Sequence, residues 1–334
     1  MTNDFGPTGT SADGLGDVYV CGATAASLAG LSDGTRRAFV AKYDIEGNLL
    51  WTTQFGTGAT SISTDHGGNV FVVGYTGGDV SGPNGGNYDA FLTKVDPSGK
   101  LVWTRQFGSS QSDFSAGVSV DPAGDVYVSG TTYGDLAGPI SVYRQEFLGK
   151  YDSGGNLLWI RQFGSADILE YNGVAAGRGF VYVADDGGNA ISKYDSSGNH
   201  LWTQHTDQIF GLAADNSGNV FTTGFAQGFS PTFSNDADVS KYGGSGNLLW
   251  SHLVGSTSLD LGYAVSTDWS RIVYVAGATS GSLDTPNAGG NDAFVAKISD
   301  VPEPGSLILT SLGAAALAFC CLRSRRRPSS GAIA

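Results

Sequence analysis

Residues 65–113 read DHGGNVFVVGYTGGDVSGPNGGNYDAFLTKVDPSGKLVWTRQFGSSQSD, and imperfect copies of this stretch make up most of the 334-residue chain. The stretch contains three short runs of β-branched and aromatic residues, each bounded by Gly, Pro, Asn or Asp. Such runs are typical of β-strands and are too short for an average helix. A fourth strand links one copy to the next, so the unit has four strands, named a to d, with strand a before residue 65. In the quoted copy, strands b, c and d are predicted at 69–73, 90–95 and 101–107, and the next strand a at 116–120.

The connections within the unit alternate between tight and long. Residues 65–69 and 96–100 both have the form Asp-x-x-Gly-(Asn/Lys), in which the Asp side chain bonds nearby backbone and the Gly accepts a positive φ. These tight turns join a to b and c to d, whereas the long connections at 74–89 and 108–115 join b to c and d to the next a. Alternate connections of an antiparallel meander lie at opposite ends, so all the long loops fall on one face. We expect any binding site on this long-loop face.

Two residue positions mark the copies along the chain. Strand d recurs around five tryptophans, and strand c occurs six times, each time with one lysine. Four-stranded units repeated every ~40–55 residues are typical of a β-propeller, in which blades pack against one another round an axis. The lysines then belong to the scaffold, and each tryptophan is expected to pack against the neighbouring blade, with a sugar-stacking stripe as the alternative. The aligned residues are Trp51, Trp103, Trp159, Trp202 and Trp250, and Lys42, Lys94, Lys150, Lys193, Lys241 and Lys297.

The repeat pattern is D-x-x-G-N-V-Y-V-x-G-x-T followed by D-A-F-V-A-K-Y-D-x-x-G-N-L-L-W-T-x-Q-F-G, and it resembles the bacterial SBBP β-propeller repeat family over residues 5–298. The resemblance implies an all-β propeller of four-stranded antiparallel blades, about six here, and no single activity. The sixth unit stops after strand c at Ile298, and Phe5-Gly6 near the N-terminus matches the tail of a strand d. Either this N-terminal piece completes blade six, or Met1 is not the true start of a seven-bladed ring. The family is typically seven-bladed, which favours the second alternative.

The composition changes abruptly near residue 300. We divide the chain into a propeller at 1–299, a linker with a Pro-Glu-Pro motif at 300–304, a transmembrane helix at 305–322 and a basic tail at 323–334. The run 305–322 carries no charge and is just long enough to cross a bilayer as a helix. The arginines that follow it are expected to remain cytoplasmic, which places the propeller outside the membrane.

Motif, span and arginine cluster together are similar to the PEP-CTERM sorting signal of Gram-negative bacteria. This resemblance implies a transient inner-membrane anchor, recognition by an exosortase-type membrane protease, and export to the cell surface or extracellular matrix. A plain membrane anchor is the alternative. An exported protein needs a signal peptide, and residues 1–20 contain none, which also favours a truncated start. The signal residues are Pro302, Glu303, Pro304, Arg323, Arg325, Arg326 and Arg327.

Charge and motifs exclude several classes of function. The net charge is −13, and residues 301–334 hold four arginines and one glutamate, so residues 1–300 carry −16. A body this acidic argues against nucleic-acid binding. The sequence contains no nucleophile elbow, phosphate-binding loop, His-Glu-x-x-His or Cys-x-x-Cys, and its Asp-x-x-Gly-Asn turns lack most ligands of a calcium loop. We therefore predict no catalytic residue, no cofactor and no metal site.

The long-loop face carries the polar residues that remain as candidates for binding a cation or a sugar at the centre of the ring, with solvated loops as the alternative. We predict an exported, non-catalytic surface or matrix protein that binds extracellular polysaccharide or another surface protein through this face. The alternative is a polysaccharide lyase or hydrolase with loop carboxylates as acid and base. The candidate binding residues are Asp79, Asn87, Asp89, Asp113, Arg144, Asp260 and Asp292, and the same face also carries Asn84, Tyr133, Asp167, Glu170, Asp236 and Asn287.

Overall fold

Six antiparallel sheets surround a common axis in the computed structural model of the chain, which confirms the predicted all-β propeller. Each sheet is one blade, and its strands follow the chain order a, b, c, d from the axis outwards. Five blades have four strands, and three strands of the sixth blade are described. The structure describes residues 7–25, 28, 36–139, 143–164, 173–227, 235–267, 272–283, 286–287 and 289–299.

The first three blades span β1 to β12. Blade 1 contains β1 (Pro7–Ala12), β2 (Val18–Thr24), β3 (Arg37–Tyr43) and β4 (Leu49–Phe55). Blade 2 contains β5 (Gly58–Thr64), β6 (Val70–Thr76), β7 (Asp89–Val95) and β8 (Leu101–Phe107). Blade 3 contains β9 (Asp113–Val120), β10 (Val126–Thr132), β11 (Gln145–Tyr151) and β12 (Leu157–Phe163).

The other three blades span β13 to β23. Blade 4 contains β13 (Val174–Gly177), β14 (Phe180–Asp185), β15 (Ala190–Asp195) and β16 (His200–His205), with a 3-10 turn at Asp186–Gly188. Blade 5 contains β17 (Gln208–Ala214), β18 (Val220–Gln227), β19 (Asn235–Tyr242) and β20 (Leu248–Val254). Blade 6 contains β21 (Asp260–Thr267), β22 (Ile272–Thr279) and β23 (Asp292–Ser299).

Two strands, β6 and β9, reach three residues further towards the long-loop face than the sequence pattern predicted, whereas β8 has the predicted bounds. β6 ends at Thr76 instead of residue 73, and β9 begins at Asp113 instead of residue 116. The extension follows from pairing within the blade, because Thr132 at the end of β10 lies opposite Asp113. The backbone hydrogen bonds of the ladder therefore extend to the mouth of the ring, and Tyr75 and Phe114 stand on strands instead of loops.

The tight turns have the predicted geometry. In the turn after β5, Oδ1 of Asp65 accepts hydrogen bonds from the backbone N–H groups of Gly67 and Asn69, both at 2.9 Å. Gly68 has φ 75°, a conformation that favours glycine. The turn after β7 repeats this arrangement, with Asp96 accepting from the N–H of Ser98 at 2.9 Å. These turns set the pairing of strands a with b and c with d.

The hydrophobic core lies in the seams between neighbouring blades. In the first seam, Val40 of blade 1 packs with Ile62 and Val70 of blade 2. The strand-d tryptophans close the seams, because the indole N–H of Trp51 donates to the carbonyl of Pro97 in the next blade at 3.0 Å. Trp159 makes the same bond to Ser196 of blade 4. These contacts confirm that the tryptophans pack against neighbouring blades.

The C-terminal predictions lie outside the described residues. These are the linker at 300–304 with its Pro-Glu-Pro motif, the span at 305–322 and the basic tail at 323–334. The N-terminal residue Phe5 is likewise not described. Within the part of the chain that the structure describes, no helix has the length and apolar character needed to cross a membrane.

Candidate functional site

The innermost strands of all six blades line one central channel with a volume of about 980 Å³. Its wall consists largely of small residues, including Thr10, Thr60, Ser115, Gly173 and Gly211. Side chains of this size leave the axis open, whereas larger residues on six converging strands would fill it. The centre of the propeller is therefore an open cavity lined by the innermost strands, and it is not filled by side chains.

Aromatic side chains line this channel near its long-loop end. Three of them stand on or beside the ends of strands a and b at which the long loops begin or finish, and the other two are the third residue of β17 and the fourth residue of β21. One cationic side chain accompanies them at the start of a strand c. We call this group the aromatic mouth, and it consists of Tyr75, Phe114, Tyr133, Phe210, Tyr263 and Arg144.

Ring contacts hold the aromatic mouth in two groups. On blades 2 and 3, Phe114 makes edge contacts with Tyr75 at 5.1 Å and with Tyr133 at 6.2 Å between ring centres. On blades 5 and 6, Phe210 and Tyr263 stack at 5.7 Å with an interplanar angle of 21°. Tyr263 is 48% exposed. Such contacts orient the rings, so that their remaining faces are presented to the channel and to solvent.

Arg144 adds a positively charged donor to the mouth. Its guanidinium carbon lies 5.9 Å from the ring centre of Tyr133, and its Nη2 donates to the hydroxyl of Thr131 at 3.4 Å. Its Nε is buried and has no hydrogen-bond partner among the described residues. No described carboxylate lies within ion-pair distance of this guanidinium. Arg144 therefore retains hydrogen-bonding capacity towards a ligand in the channel.

Two of the predicted binding carboxylates, Asp113 and Asp89, accept hydrogen bonds from residues of the long loops. Oδ2 of Asp113 accepts hydrogen bonds from the backbone N–H of Ser109 at 2.6 Å and from its hydroxyl at 2.9 Å. Oδ2 of Asp89 accepts from the N–H of Gly85 and from Nε2 of Gln106, both at 3.0 Å. Both aspartates are buried. Burial raises the pKa of Asp113, and the nearby charge of Asp89 adds to this rise.

The other predicted binding residues are buried at a strand start, exposed in a loop or half-buried. Asp260 is buried and repeats the role of Asp113, because it accepts from the N–H of Ser256 at 2.6 Å and from its hydroxyl at 3.0 Å. Asp79 and Asn87 are exposed in the loop between β6 and β7, and Asp292 is half-buried at the start of β23. Among the seven candidate residues, only Arg144 belongs to the described wall of the channel. Asp167 and Glu170 lie outside the described residues.

The sequence pattern did not reveal most of the aromatic mouth. Of its aromatic members, Tyr133 is among the predicted loop-face residues, whereas Tyr75, Phe114, Phe210 and Tyr263 are not. The sequence did contain a signal for two of these residues. Tyr75 and Phe114 are aromatic residues within the predicted long connections at 74–89 and 108–115, where no core residue is expected. The sequence pattern identified the face but not the residues that meet on it.

Glu146 is a second feature that the sequence pattern did not reveal. It is 1% exposed in strand c of blade 3, where blades 1 and 2 have Ala38 and Ala90. Its Oε1 accepts a hydrogen bond from the N–H of Gly187 at 3.2 Å. Burial raises the pKa of the Glu146 carboxyl to about 8, and the adjacent Asp185 contributes to the rise.

Comparisons with known proteins agree with the repeat and the fold. The family model SBBP, described as a beta-propeller repeat, matches residues 102–137, which extend from β8 past the end of β10. No curated protein sequence matches the chain. The match and the six-bladed architecture together place this chain in the class of repeat-type β-propellers.

Solved structures with similar folds differ widely in their functions. A putative 6-phosphogluconolactonase from Bacteroides uniformis is 10% identical, with a TM-score of 0.51 over 87% of this chain and 88% of that chain. Virginiamycin B lyase from Staphylococcus aureus is 12% identical, with a TM-score of 0.50 over 87% of this chain and 85% of that chain. At such identities the likeness shows the fold alone.

Proposed function

We propose that this protein is an exported, non-catalytic β-propeller that binds extracellular polysaccharide at the aromatic mouth of its channel. The observation that carries this proposal is the combination of oriented aromatic rings with Arg144 around an open cavity of about 980 Å³. The faces of aromatic rings suit the apolar faces of sugar rings, and Arg and Tyr side chains donate hydrogen bonds to sugar hydroxyls. A few converging polar groups among apolar surfaces are typical of ligand sites.

The charge of the protein favours an uncharged polysaccharide. Residues 1–300 carry a net charge of −16, which repels a long polyanion. The aromatic mouth contains one cation, Arg144, and Glu146 follows two residues later in the same strand region. Stacking and neutral hydrogen bonds then supply most of the binding free energy, so the affinity should depend little on salt.

The proposed location rests on the C-terminal sequence. The Pro-Glu-Pro motif at 302–304, the uncharged run at 305–322 and the arginine cluster at 323–327 support export and processing by an exosortase-type membrane protease. The intact mass of the native protein from its host tests this part. We expect a species that ends near residue 304 in the surface or matrix fraction. A species that ends at Ala334 would contradict processing.

A polysaccharide lyase or hydrolase is the second candidate function. The raised pKa of Glu146 beside Asp185 suits a general acid. However, Glu146 is 1% exposed and is not part of the described channel wall, so it does not contact a chain bound at the aromatic mouth. This separation is the reason for preferring a binding function.

Retention on immobilised polysaccharide from the host's own matrix tests the binding proposal. We expect the full chain to be retained, and a Phe210→Ala/Tyr263→Ala variant to bind at least about tenfold more weakly because it loses two stacking faces. Tyr274→Ala is the matched control, since it removes an exposed ring outside the aromatic mouth. Equal retention of both variants contradicts the proposal. Release of shortened saccharides that Glu146→Gln abolishes supports the enzyme instead.

A further inference from the structure

Blade 4 departs from a pairing that other blades repeat between strands b and c. In four blades a glycine on strand b lies opposite a phenylalanine on strand c, namely Gly22–Phe39, Gly74–Phe91, Gly130–Phe147 and Gly277–Phe294. At the same register of blade 4, Asp185 lies opposite Ala190. A Cβ on Gly130 would stand 2.7 Å from Cζ of Phe147, so the ring leaves no room for a side chain there. Blade 4 lacks this ring, and Asp185 has room.

Asp185 meets the carboxyl group of Glu146 across the seam between blades 3 and 4, and the two groups are close enough to share a proton. Oε1 of Glu146 accepts a hydrogen bond from the N–H of Gly187 at 3.2 Å. Oε2 is buried and receives no hydrogen bond from the N–H and O–H groups of the described residues. One proton held between the two carboxyl groups satisfies this oxygen and removes their mutual repulsion.

A chain of hydrogen bonds links this pair with the outer surface of blade 4. Oδ2 of Asp185 accepts from the hydroxyl of Ser192 at 2.6 Å, and the hydroxyl oxygens of Ser192 and Thr203 lie 2.7 Å apart. Oγ1 of Thr203 lies 2.8 Å from Nε2 of His200. Ser192 is fully buried, whereas Thr203 and His200 are exposed on β16. The chain therefore crosses strands b, c and d and ends in solvent.

The hydrogen bonds of this chain all have one direction. A hydroxyl group carries a single hydrogen, so Ser192, which donates to Asp185, has to accept from Thr203. Thr203 in turn has to accept from Nε2 of His200. Every donor thus points inwards, from the surface imidazole to the carboxyl pair. If each hydrogen moves along its bond, Asp185 gains a proton, and solvent replaces the proton that His200 has given up.

The other charged and titratable groups described around the pair are Arg144 and Tyr194. Burial raises the pKa of Glu146 to about 8 and the charge of Asp185 adds to the rise, whereas the charge of Arg144 opposes it. Tyr194 of β15 is buried, and burial raises its pKa, to which the charges of Asp185 and Glu146 add. The tyrosine therefore stays neutral while the carboxyl pair titrates. His200 contacts the ring of Tyr194 at 5.3 Å.

The neighbours of the pair belong to both groups of the aromatic mouth. Arg144 stands two residues before Glu146, directly before β11. On the other side of the seam, the carbonyl of Gly187 accepts from Nε2 of Gln208 at 2.9 Å, and Gln208 is two residues before Phe210. Loss of the shared proton leaves two negative charges in the seam. These charges repel each other and attract the guanidinium of Arg144 away from the channel.

We propose that the carboxyl pair of Glu146 and Asp185 is a proton-operated switch of the aromatic mouth, with Ser192 and Thr203 as its path to solvent. While the pair holds its proton, Arg144 faces the channel and the mouth binds its ligand. When the proton leaves, Arg144 is drawn towards the seam and the ligand binds more weakly. This inference rests on the proposed function, because the switch acts on the polysaccharide site. By linkage, bound polysaccharide strengthens the hold of the pair on its proton.

Binding of host polysaccharide to the full chain at pH 6 and at pH 9 tests the switch. We expect the dissociation constant of the wild type to be about tenfold higher at pH 9. That of Glu146→Gln should change by less than about twofold, because glutamine keeps the neutral form at both pH values. Glu46→Gln, in an exposed turn of blade 1, is the matched control and should behave like the wild type.

The infrared C=O band of protonated carboxyl groups reports on the pair without a ligand. We expect the wild type, but not Glu146→Gln, to lose one such band between pH 7 and pH 9, and saturating polysaccharide to move this loss to higher pH. After a pH jump, Ser192→Ala should lose the band several-fold more slowly than the wild type. Thr93→Ala is the matched control, since it breaks the equivalent hydroxyl pair with Thr104 in blade 2 and should keep the wild-type rate.

The outcomes separate failure of the switch from failure of the proposed function. No binding of polysaccharide at pH 6 refutes the proposed function and the switch that depends on it. Binding that is equally tight at both pH values refutes the switch alone. An equal loss of affinity in the wild type and in Glu146→Gln assigns the pH dependence to another group and overturns the role of the pair. An unchanged rate in Ser192→Ala overturns the path through Ser192.

Discussion

Glu146 of blade 3 lies beside Asp185 of blade 4, so that two carboxyl groups meet within a buried blade seam. A Cβ on Gly164 would stand 3.2 Å from Oδ1 of Asp185 and 4.0 Å from Oε2 of Glu146. Burial is the main cause that raises the pKa of the Glu146 carboxyl, to about 8, and the adjacent charge of Asp185 adds to this rise. Glu146 is therefore held in its neutral form at neutral pH.

This pair predicts that stability falls as pH rises. The pKa of Glu146 is about 8 in the folded chain, above the ordinary value of 4.5. Between these two values the folded state keeps a proton that the unfolded state has released, so each pH unit lowers the free energy of unfolding by up to about 1.4 kcal/mol. Urea unfolding of the full chain between pH 5 and pH 9 measures this slope.

Glu146→Gln should flatten the pH dependence, because glutamine stays neutral throughout this range. The matched control is Glu46→Gln in an exposed turn of blade 1, which should keep the wild-type slope. An unchanged slope in Glu146→Gln would show that another group titrates. Relative to the wild type, Glu146→Gln should gain most above pH 8, where the wild-type seam contains an ionised Glu146.

The buried aspartates should act on stability and not on ligand binding. Asp113→Ala removes the acceptor of two hydrogen bonds from Ser109, so we expect a loss of about 1–3 kcal/mol in the free energy of unfolding. Asp79→Ala, at an exposed site in the same blade pair, should change stability by about 0.5 kcal/mol or less. Polysaccharide retention at a temperature where both variants are folded should match the wild type. Loss of retention in folded Asp113→Ala would instead place this carboxylate in the ligand site.

Gly74 should be intolerant of any side chain. A Cβ at this position in β6 would lie 1.9 Å from the carbonyl oxygen of Gly58 on the paired strand, so the ladder has to shift. We expect Gly74→Ala to cost about 3 kcal/mol or more, measured by urea unfolding. Gly78→Ala is the matched control, since nothing lies within 4 Å of its Cβ position. Similar stabilities of the two variants would refute the close approach of β5 and β6.

Arg144 should contribute to binding through the shape of its guanidinium. Arg144→Lys keeps the charge but loses the planar fork and its contact with Tyr133, so retention on host polysaccharide should weaken about tenfold. If charge alone mattered, the lysine variant would bind like the wild type and the affinity would fall steeply with salt. Thermal unfolding of the variant controls for damage to the fold.

The repeat made most of the architecture predictable. The Asp-x-x-Gly turns, exemplified by Asp65 and Gly68, are encoded within five residues, and each strand is a short run between such signals. The register of Lys94 with Trp103 follows from the turn between them. Even the packing of Trp51 on the next blade was predictable, because one ring per repeat in a closed stack has to meet the neighbouring unit.

For the candidate site, the sequence predicted only the face of the propeller on which it lies, and not the residues that form it. Asp89, Asp113 and Asp260 were reasonable candidates, since polar residues beside long loops are usually exposed. They turn inward because backbone N–H groups of the long loops need acceptors, which is a requirement of loop geometry that composition does not reveal.

The amino-acid sequence by itself determined the propeller class, the strand order within each blade and the face that carries the long loops, because all three depend on contacts between residues close in the chain. Only the tertiary structure decided that Phe210 stacks on Tyr263, that Asp185 meets Glu146 and that Tyr274 is uncovered. The two contacts join residues of different blades. The exposure of Tyr274 reflects the absence of a neighbour among the described residues. Such relations depend on where each blade stands round the axis, which no local pattern specifies.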